Sequence, residues 1–394
     1  MIIIDYRVSV PRKSFKSCKS WFKLYICAMV YKVIGLMSGS SLDGLDIVFA
    51  QLDEVRGKWS YEIKCADCVP YSEDWTRDLA DAKEKSVPEF LKLNTAYGRY
   101  IGEQVNQFIE RNSLHHQVHF IASHGHTVFH EPHNGTSTQI GDGASIAAVT
   151  GLPVISDLRS LDVALGGQGA PIVPIGDKLL FGEYDYWLNI GGIANITVLK
   201  NDKPVAFDIC PANQILNGLA EREGKTMDEN GDMARAGEIL VGAFTKLNDA
   251  AYYAQPAPKS LSNELARDIA FPVLLESEHN NADMLHTMVL HIAGQVAKAV
   301  FEYPSAKPEP KLLVTGGGAF NKFLVEKIQD ALMPQHISVE VPDATVVQYK
   351  EALVMALVGA LRWREETNVM SSVTGAGRDS IGGALWMGHS YNGE

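Results

Sequence analysis

Short apolar runs alternate along this chain with turns rich in Gly, Ser and Asn, and the runs have the length of buried strands. Residues 33–37 and 47–50 flank the segment Ser38-Gly39-Ser40-Ser41-Leu42-Asp43-Gly44, which predicts a hairpin, and residues 58–69 extend it into a meander. The period then changes. Phe90, Leu91, Tyr97, Ile101, Val105, Phe108 and Ile109 recur at helical spacing and predict an amphipathic helix over residues 87–112. Residues 119–123 read as a strand entering a polar turn, 144–149 as a short helix, and 154–155 as another strand end. Beyond residue 184 the strand, glycine turn, strand pattern returns: residues 186–190, Gly191-Gly192, then 193–199, with 201–204 turning the chain into 205–208. Residues 311–315 read as a buried strand before Gly316-Gly317-Gly318 and a helix start at Lys322, and Tyr349 opens a further apolar helix.

At 394 residues the chain has room for two domains, and 46% hydrophobic with 21% charged residues describes a globular protein. Its net charge of −12 speaks against nucleic acid as a main partner. Residues 1–28 are the exception, with a net charge of +5 that leaves −17 on the rest. Lys23 and Lys32 interrupt their apolar run, which is too short to span a membrane, so they read as an N-terminal extension ahead of a functional start at Met29. Five cysteines, Cys18, Cys27, Cys65, Cys68 and Cys210, fit a reducing compartment, and the lone pair Cys65/Cys68 lacks the second pair a zinc site needs.

The glycine turns carry the candidate chemistry. Glycines let the backbone approach an anion, successive amides form a donor nest, and Asp43 or Asp46 could reach a phosphate-bound metal ion. Asp208 sits where its strand ends and serves either as an aimed carboxylate or as the cap of a helix near Asn213. Four histidines fall between residues 124 and 133. His126 and His130 have the spacing of a metal pair on a helix, but a strand does not bring such positions together. Arg159 and Asp162 form either part of a site or a local ion pair. Glu351 is either a site carboxylate or an acid favoured near a helix N-terminus. Pro258-Lys259-Ser260 suggests no chemistry of its own.

These turns resemble the motifs of the anhydro-N-acetylmuramic acid kinases from Met29 to the C-terminus. Met37-Ser-Gly-Ser-Ser-Leu-Asp-Gly-Leu-Asp46 is similar to M-S-G-T-S-x-D-G-x-D, with Ser40 for Thr. Ser123 to Pro132 resembles S-H-G-Q-T-x-x-H-x-P, with His126 for Gln; Asp157 to Pro171 resembles D-F-R-x-x-D-x-A-x-G-G-Q-G-A-P, with Leu158 for Phe and no arginine at Ser160 or Leu161. Phe207 to Asn213 resembles F-D-x-G-P-x-N, with Cys210 for Gly.

The resemblance implies an α/β, two-lobed actin-like ATPase (ribonuclease H-like) fold with an ATP/sugar cleft between the lobes. Residues 29–183 are expected to form the first lobe, 184–377 the second, and 378–394 a segment packing back on the first. It implies an ATP-dependent kinase that opens the 1,6-anhydro bond of anhydro-N-acetylmuramic acid and phosphorylates O6, with Asp208 as base and Glu351 beside it. ATP contacts are implied for Gly39, Ser40, Ser41, Leu42, Asp43, Gly44, Leu45, Asp46, Gly191, Gly192, Asn195, Gly316, Gly317, Gly318 and Asn321, and Mg2+ near Asp43. Sugar contacts are implied for His124, Arg159, Asp162 and Asn213. A cytoplasmic enzyme of cell-wall sugar recycling is expected, with ATP and a small sugar as partners, no nucleic acid or membrane, and a homodimer left open. A metal-dependent transferase using His126 and His130 and a non-catalytic sugar sensor are the alternatives.

Overall fold

The computed structural model describes residues 29–39, 42–276 and 279–388. The extension over residues 1–28, the turn residues Ser40 and Ser41, and the end of the C-terminal segment lie outside that description. Strands β1 (Met29–Ser38), β2 (Gly44–Val55) and β3 (Lys58–Pro70) form the expected antiparallel meander. Strand β4 (Phe120–Ser123) runs parallel to β1, the pair β5 (His126–Glu131) and β6 (Thr136–Ile140) forms a separate hairpin, and β7 (Val154–Ser156) runs parallel to β4. The sheet order is therefore β3-β2-β1-β4-β7.

Successive residues of a strand face opposite sides, and here both sides are core. Ile34, Leu36, Ile47, Phe49 and Ile121 face one core, while Val33, Val48, Ala50, Phe120 and Ala122 face another. The helix Val87–Arg111 closes the first of these. Ser86 and Glu89 cap it reciprocally, and Leu93, Tyr97, Ile101, Val105 and Phe108 form its buried face. Leu91, expected on that face, is 58% exposed, and Leu93 takes its place.

The second lobe repeats the pattern. Strands β8 (Tyr186–Ile190), β9 (Ile193–Lys200) and β10 (Lys203–Pro211) form a meander, then β11 (Lys311–Thr315) and β12 (Ser338–Glu340) add in parallel, in the order β10-β9-β8-β11-β12. The helix Asn281–Phe301 fills this core. Two copies of one sheet order, each a three-stranded meander followed by two parallel strands, make the molecule a two-lobed α/β protein of the ribonuclease H-like, actin-like ATPase type.

The chain returns to the first lobe earlier than residue 377. The helix Ala344–Trp363 packs on β1, β2 and β4, filling the second core of the first sheet. Contact there is backbone to backbone: a Cβ on Gly35 would lie 2.0 Å from the Ala352 carbonyl oxygen, so only glycine lets the helix settle on β1. Strand β13 (Ala384–Trp386) then pairs antiparallel with β7. Among the described residues, the two helices long and apolar enough to cross a membrane, Asn281–Phe301 and Ala344–Trp363, are largely buried in these cores.

The chain crosses between lobes through the helix Pro174–Leu180 and again into Ala344–Trp363. Lys350 Nζ of the second crossing lies 2.6 Å from Asp177 Oδ1 of the first, with both side chains buried. Thr197 of β9 donates to Asp177 Oδ2 at 3.0 Å, so this cluster ties both crossings to the second sheet.

Candidate active site

Between the lobes lies a cleft of about 800 Å3, whose walls include Met37, His124, Arg159 and Glu351 from the first lobe and Asn195, Asp208, Gly316 and Phe320 from the second. Asp208 ends the regular part of β10, where a bulge precedes Cys210. The neighbouring loop holds it at three points. Its N–H donates to Lys259 O (3.0 Å), its carbonyl accepts from the Tyr252 hydroxyl (2.8 Å), and its Oδ2 accepts from the Leu261 N–H (2.8 Å). Lys259 secures that loop by donating to Tyr252 O (3.1 Å), with its ammonium 4.5 Å from the Tyr252 ring centroid. Pro258-Lys259-Ser260, silent in the sequence, is thus the support of Asp208 and lines the cleft beside it. Burial raises the Asp208 pKa, and the Leu261 N–H partly offsets the rise. The following helix starts at Asn213 with Ala212 at its cap position, so Asp208 is not its cap.

Glu351 lies seven residues into the helix that begins at Ala344, and Asp343 provides the N-cap, so the helix terminus does not account for it. Burial raises its pKa, while Lys350 and Arg159 pull it back down. Arg159 donates from Nε (3.0 Å) and Nη2 (2.8 Å) to His124 Nε2, and His124 Nδ1 lies 2.8 Å from Gly125 O. Both ring nitrogens of His124 are therefore engaged within the protein, which leaves the ring no hydrogen bond for a sugar. Arg159 forms no ion pair with Asp162. That carboxylate is buried, accepting from Gly169 N–H and the Thr374 hydroxyl at 2.8 Å each, and braces the loop instead of lining the cleft.

The glycine turns divide by role. In the β1–β2 turn, Leu42 has φ 58°, a left-handed conformation that costs a non-glycine residue roughly 1–2 kcal/mol. Gly39 and Asp43 belong to the same turn; Gly44 and Leu45 are buried, and Leu45 packs in the core. Asp46 stands opposite Cys68 in the strand pairing. Its pKa is pushed up to about 6 by burial, against a lowering hydrogen bond with Cys68, and Asp43 and Glu351 add to the rise. In the β8–β9 turn, the carbonyls of Gly191 and Gly192 accept from N–H groups of residues 212–214 at the start of the next helix. The Asn213 amide donates to Ile190 O (3.0 Å), so this side chain braces the turn. After β11, Gly316 and Gly317 line the cleft, while Gly318 is buried against Ile190. Gly316 has φ 80° and its missing Cβ would lie 2.4 Å from Asn189 Oδ1, so both conformation and contact demand glycine. Asn321 caps the helix Lys322–Leu332 through Leu324 N–H.

His126 and His130 lie on β5, where four residues span about 13 Å, and each places Nδ1 near a serine hydroxyl, that of Ser38 (3.2 Å) and Ser137 (3.1 Å). They do not share an ion as the alternative reading required. Among the described residues, no group of three or more His, Cys, Asp or Glu side chains has the arrangement of a metal site. Sequence reasoning missed Phe320, Asn189, Thr197 and the Asp177–Lys350 pair; Phe320, an aromatic two residues after the glycine run and 46% exposed in the structure, was the legible one.

The profile of the family described as Anhydro-N-acetylmuramic acid kinase matches residues 31–388. The anhydro-N-acetylmuramic acid kinase of Sulfurovum sp. (strain NBC37-1) is 32% identical over 368 residues, 90% of this chain and 99% of that protein. Its counterpart from Francisella tularensis subsp. novicida (strain U112) is 33% identical over 367 residues, 87% of this chain and 95% of that protein. Among solved structures, the activator of the 2-hydroxyisocaproyl-CoA dehydratase from Clostridium difficile with bound ADPNP is 14% identical, covering 85% of this chain and 96% of that one, with a TM-score of 0.42, too distant to bear on this site. With the profile spanning both lobes and the cleft between them, the chain belongs to the anhydro-N-acetylmuramic acid kinase family and is a sugar kinase.

Proposed function

We propose that this kinase uses ATP and water to convert 1,6-anhydro-N-acetylmuramic acid to N-acetylmuramic acid 6-phosphate. The observation that carries the reading is Asp208, a carboxylate of raised pKa, fixed by a backbone N–H in the wall of a cleft shared by both lobes. Water adds to C1 and its proton passes to Asp208. The C1–O6 bond breaks with its electron pair going to O6, O6 takes the γ-phosphoryl group, and ADP leaves. A positioned base acting on the attacking water is worth roughly 10²–10⁴ in rate.

Arg159 is the partner for the lactyl carboxylate of the sugar, and Glu351 faces the same ligand from its helix. The turns at residues 39–46 and 191–192 take the phosphates, and Gly316 and Gly317 admit the adenosine with Phe320 beside them. The carboxylates fit a magnesium ion, since burial raises Asp46, Asp43 and Glu351 add to the rise, and a divalent cation relieves that like-charge repulsion. Asp43 and Asp46 would hold it, directly or through water, and when bound it would neutralise charge on the phosphates. The setting that goes with this reaction is the cytoplasm, in the reuse of cell-wall sugars. Incubation of purified protein with ATP, Mg2+ and either the anhydro sugar, N-acetylmuramic acid or N-acetylglucosamine tests it. Sugar phosphate is expected from the anhydro sugar, and turnover confined to the ordinary sugars would overturn the coupled bond opening.

A further inference from the structure

Three cations among the described residues line the cleft, and two are occupied. Lys350 pairs with Asp177, and Lys259 is bound to the Tyr252 carbonyl and lies over its ring. Arg159 differs, because its hydrogen-bond partner is an imidazole, while the Glu351 carboxylate acts on it through charge. An arginine only donates, so His124 Nε2 must accept, which puts the ring proton on Nδ1, where Gly125 O receives it. His124 is 3% exposed, and its backbone N–H donates to Leu36 O (3.2 Å), so the acceptor is anchored to β1. Burial, and next the Arg159 charge, push its pKa down to about 3, so the ring stays neutral at any working pH. Nε and one hydrogen of Nη2 are committed to the histidine, and the opposite edge of the guanidinium remains for a ligand. Ser160 and Leu161, which follow Arg159, carry no charge to share the task.

We propose that His124 is a positioning residue that sets sugar selectivity, holding Arg159 by one edge so that the other edge receives the carboxylate of the acidic sugar. This rests on the sugar assignment above. The test compares kcat/KM for 1,6-anhydro-N-acetylmuramic acid with that for 1,6-anhydro-N-acetylglucosamine, which lacks the lactyl group, in wild type, His124→Ala and His124→Gln. His124→Ala is expected to lower the value for the acidic sugar about ten- to hundredfold, the range for losing hydrogen bonds to a charged group, mainly through KM. The neutral sugar should lose no more than about threefold, and the KM for ATP should move less than about twofold on the same scale. His124→Gln, which carries an acceptor at a similar reach, should recover part of the preference.

An equal loss for both sugars, or an intact preference in His124→Ala, would overturn the role of His124 while leaving the sugar assignment standing. No preference for the acidic sugar in wild type would overturn that assignment, and this inference with it. If His124→Ala does not fold, Arg159→Lys decides the matter. A lysine ammonium lacks the planar fork that lets arginine engage His124 along one edge and a carboxylate bidentately along the other, so the preference should collapse in that variant, and its survival would overturn the proposal.

Discussion

Asp208 and Glu351 line the same cleft from different lobes, and burial raises the proton affinity of both. Their settings differ in what opposes the rise. For Asp208 it is one backbone N–H on a loop held by Tyr252 and Lys259. For Glu351 it is two cations, Lys350 and Arg159. A carboxylate with neutral support gains and loses a proton with little change in its surroundings, which suits a base. One whose rise is opposed by nearby cations is coupled to their charge, which suits orientation and charge balance. In the proposed mechanism the same amino-acid chemistry is steered to two tasks by whether an amide or a cation stands behind it.

Asp208→Asn should have the largest effect, lowering kcat by about 10³ or more while ATP affinity stays within about twofold, as expected when only the base is lost. Stopped assays of sugar phosphate, together with nucleotide titration, check this, and turnover near wild type would remove Asp208 from the role. Next in size is the cluster behind Glu351. Lys350→Met leaves Asp177 unpaired in a buried site and should cost about 3–5 kcal/mol of stability, read from the denaturant midpoint. An unchanged midpoint would mean that the two lobe crossings do not depend on this pair.

Glu351→Gln should reduce kcat by roughly ten- to hundredfold, less than the change at Asp208, since a hydrogen-bonding group remains where a charge was lost. A loss larger than that of Asp208→Asn would reverse the assignment of tasks. Tyr252→Phe removes one neutral hydrogen bond to the Asp208 carbonyl and should cost about 1 kcal/mol, with a fall in kcat of about fivefold at most. The pH dependence sharpens the same contrast. As the proposed base Asp208 would act ionised, and its pKa is raised, so kcat/KM should fall as the pH drops through a value above the ordinary carboxylate range. An acid limb at the ordinary value would show that another group titrates.

The repeated strand, glycine, strand signal at residues 33–50 and 186–199 made the two lobes legible, because buried strands and glycine turns are local properties of the chain. Closure of the first lobe was not. The helix Ala344–Trp363 reads as apolar wherever it packs, and its packing on β1, β2 and β4, closest where Gly35 meets Ala352, shows that it belongs to the sheet formed by the opposite end of the chain. Motif membership likewise drew Asp162, Asn213 and Asn321 into the candidate site, yet the structure spends their side chains on bracing turns and capping a helix. A motif marks residues a site depends on without separating those that touch a ligand from those that hold the loops. Lys259 shows the converse, a residue with no readable chemistry whose loop carries the Asp208 contact.

The most direct test of water attack at C1 under the control of Asp208 is a single turnover of the anhydro sugar in heavy-oxygen water, with the sugar phosphate analysed at once by mass spectrometry. The heavy atom is predicted at C1 of the product and not in its phosphate, with no labelled product from Asp208→Asn. Heavy oxygen in released inorganic phosphate without labelled sugar, or an equal yield of labelled sugar phosphate from Asp208→Asn, would contradict it.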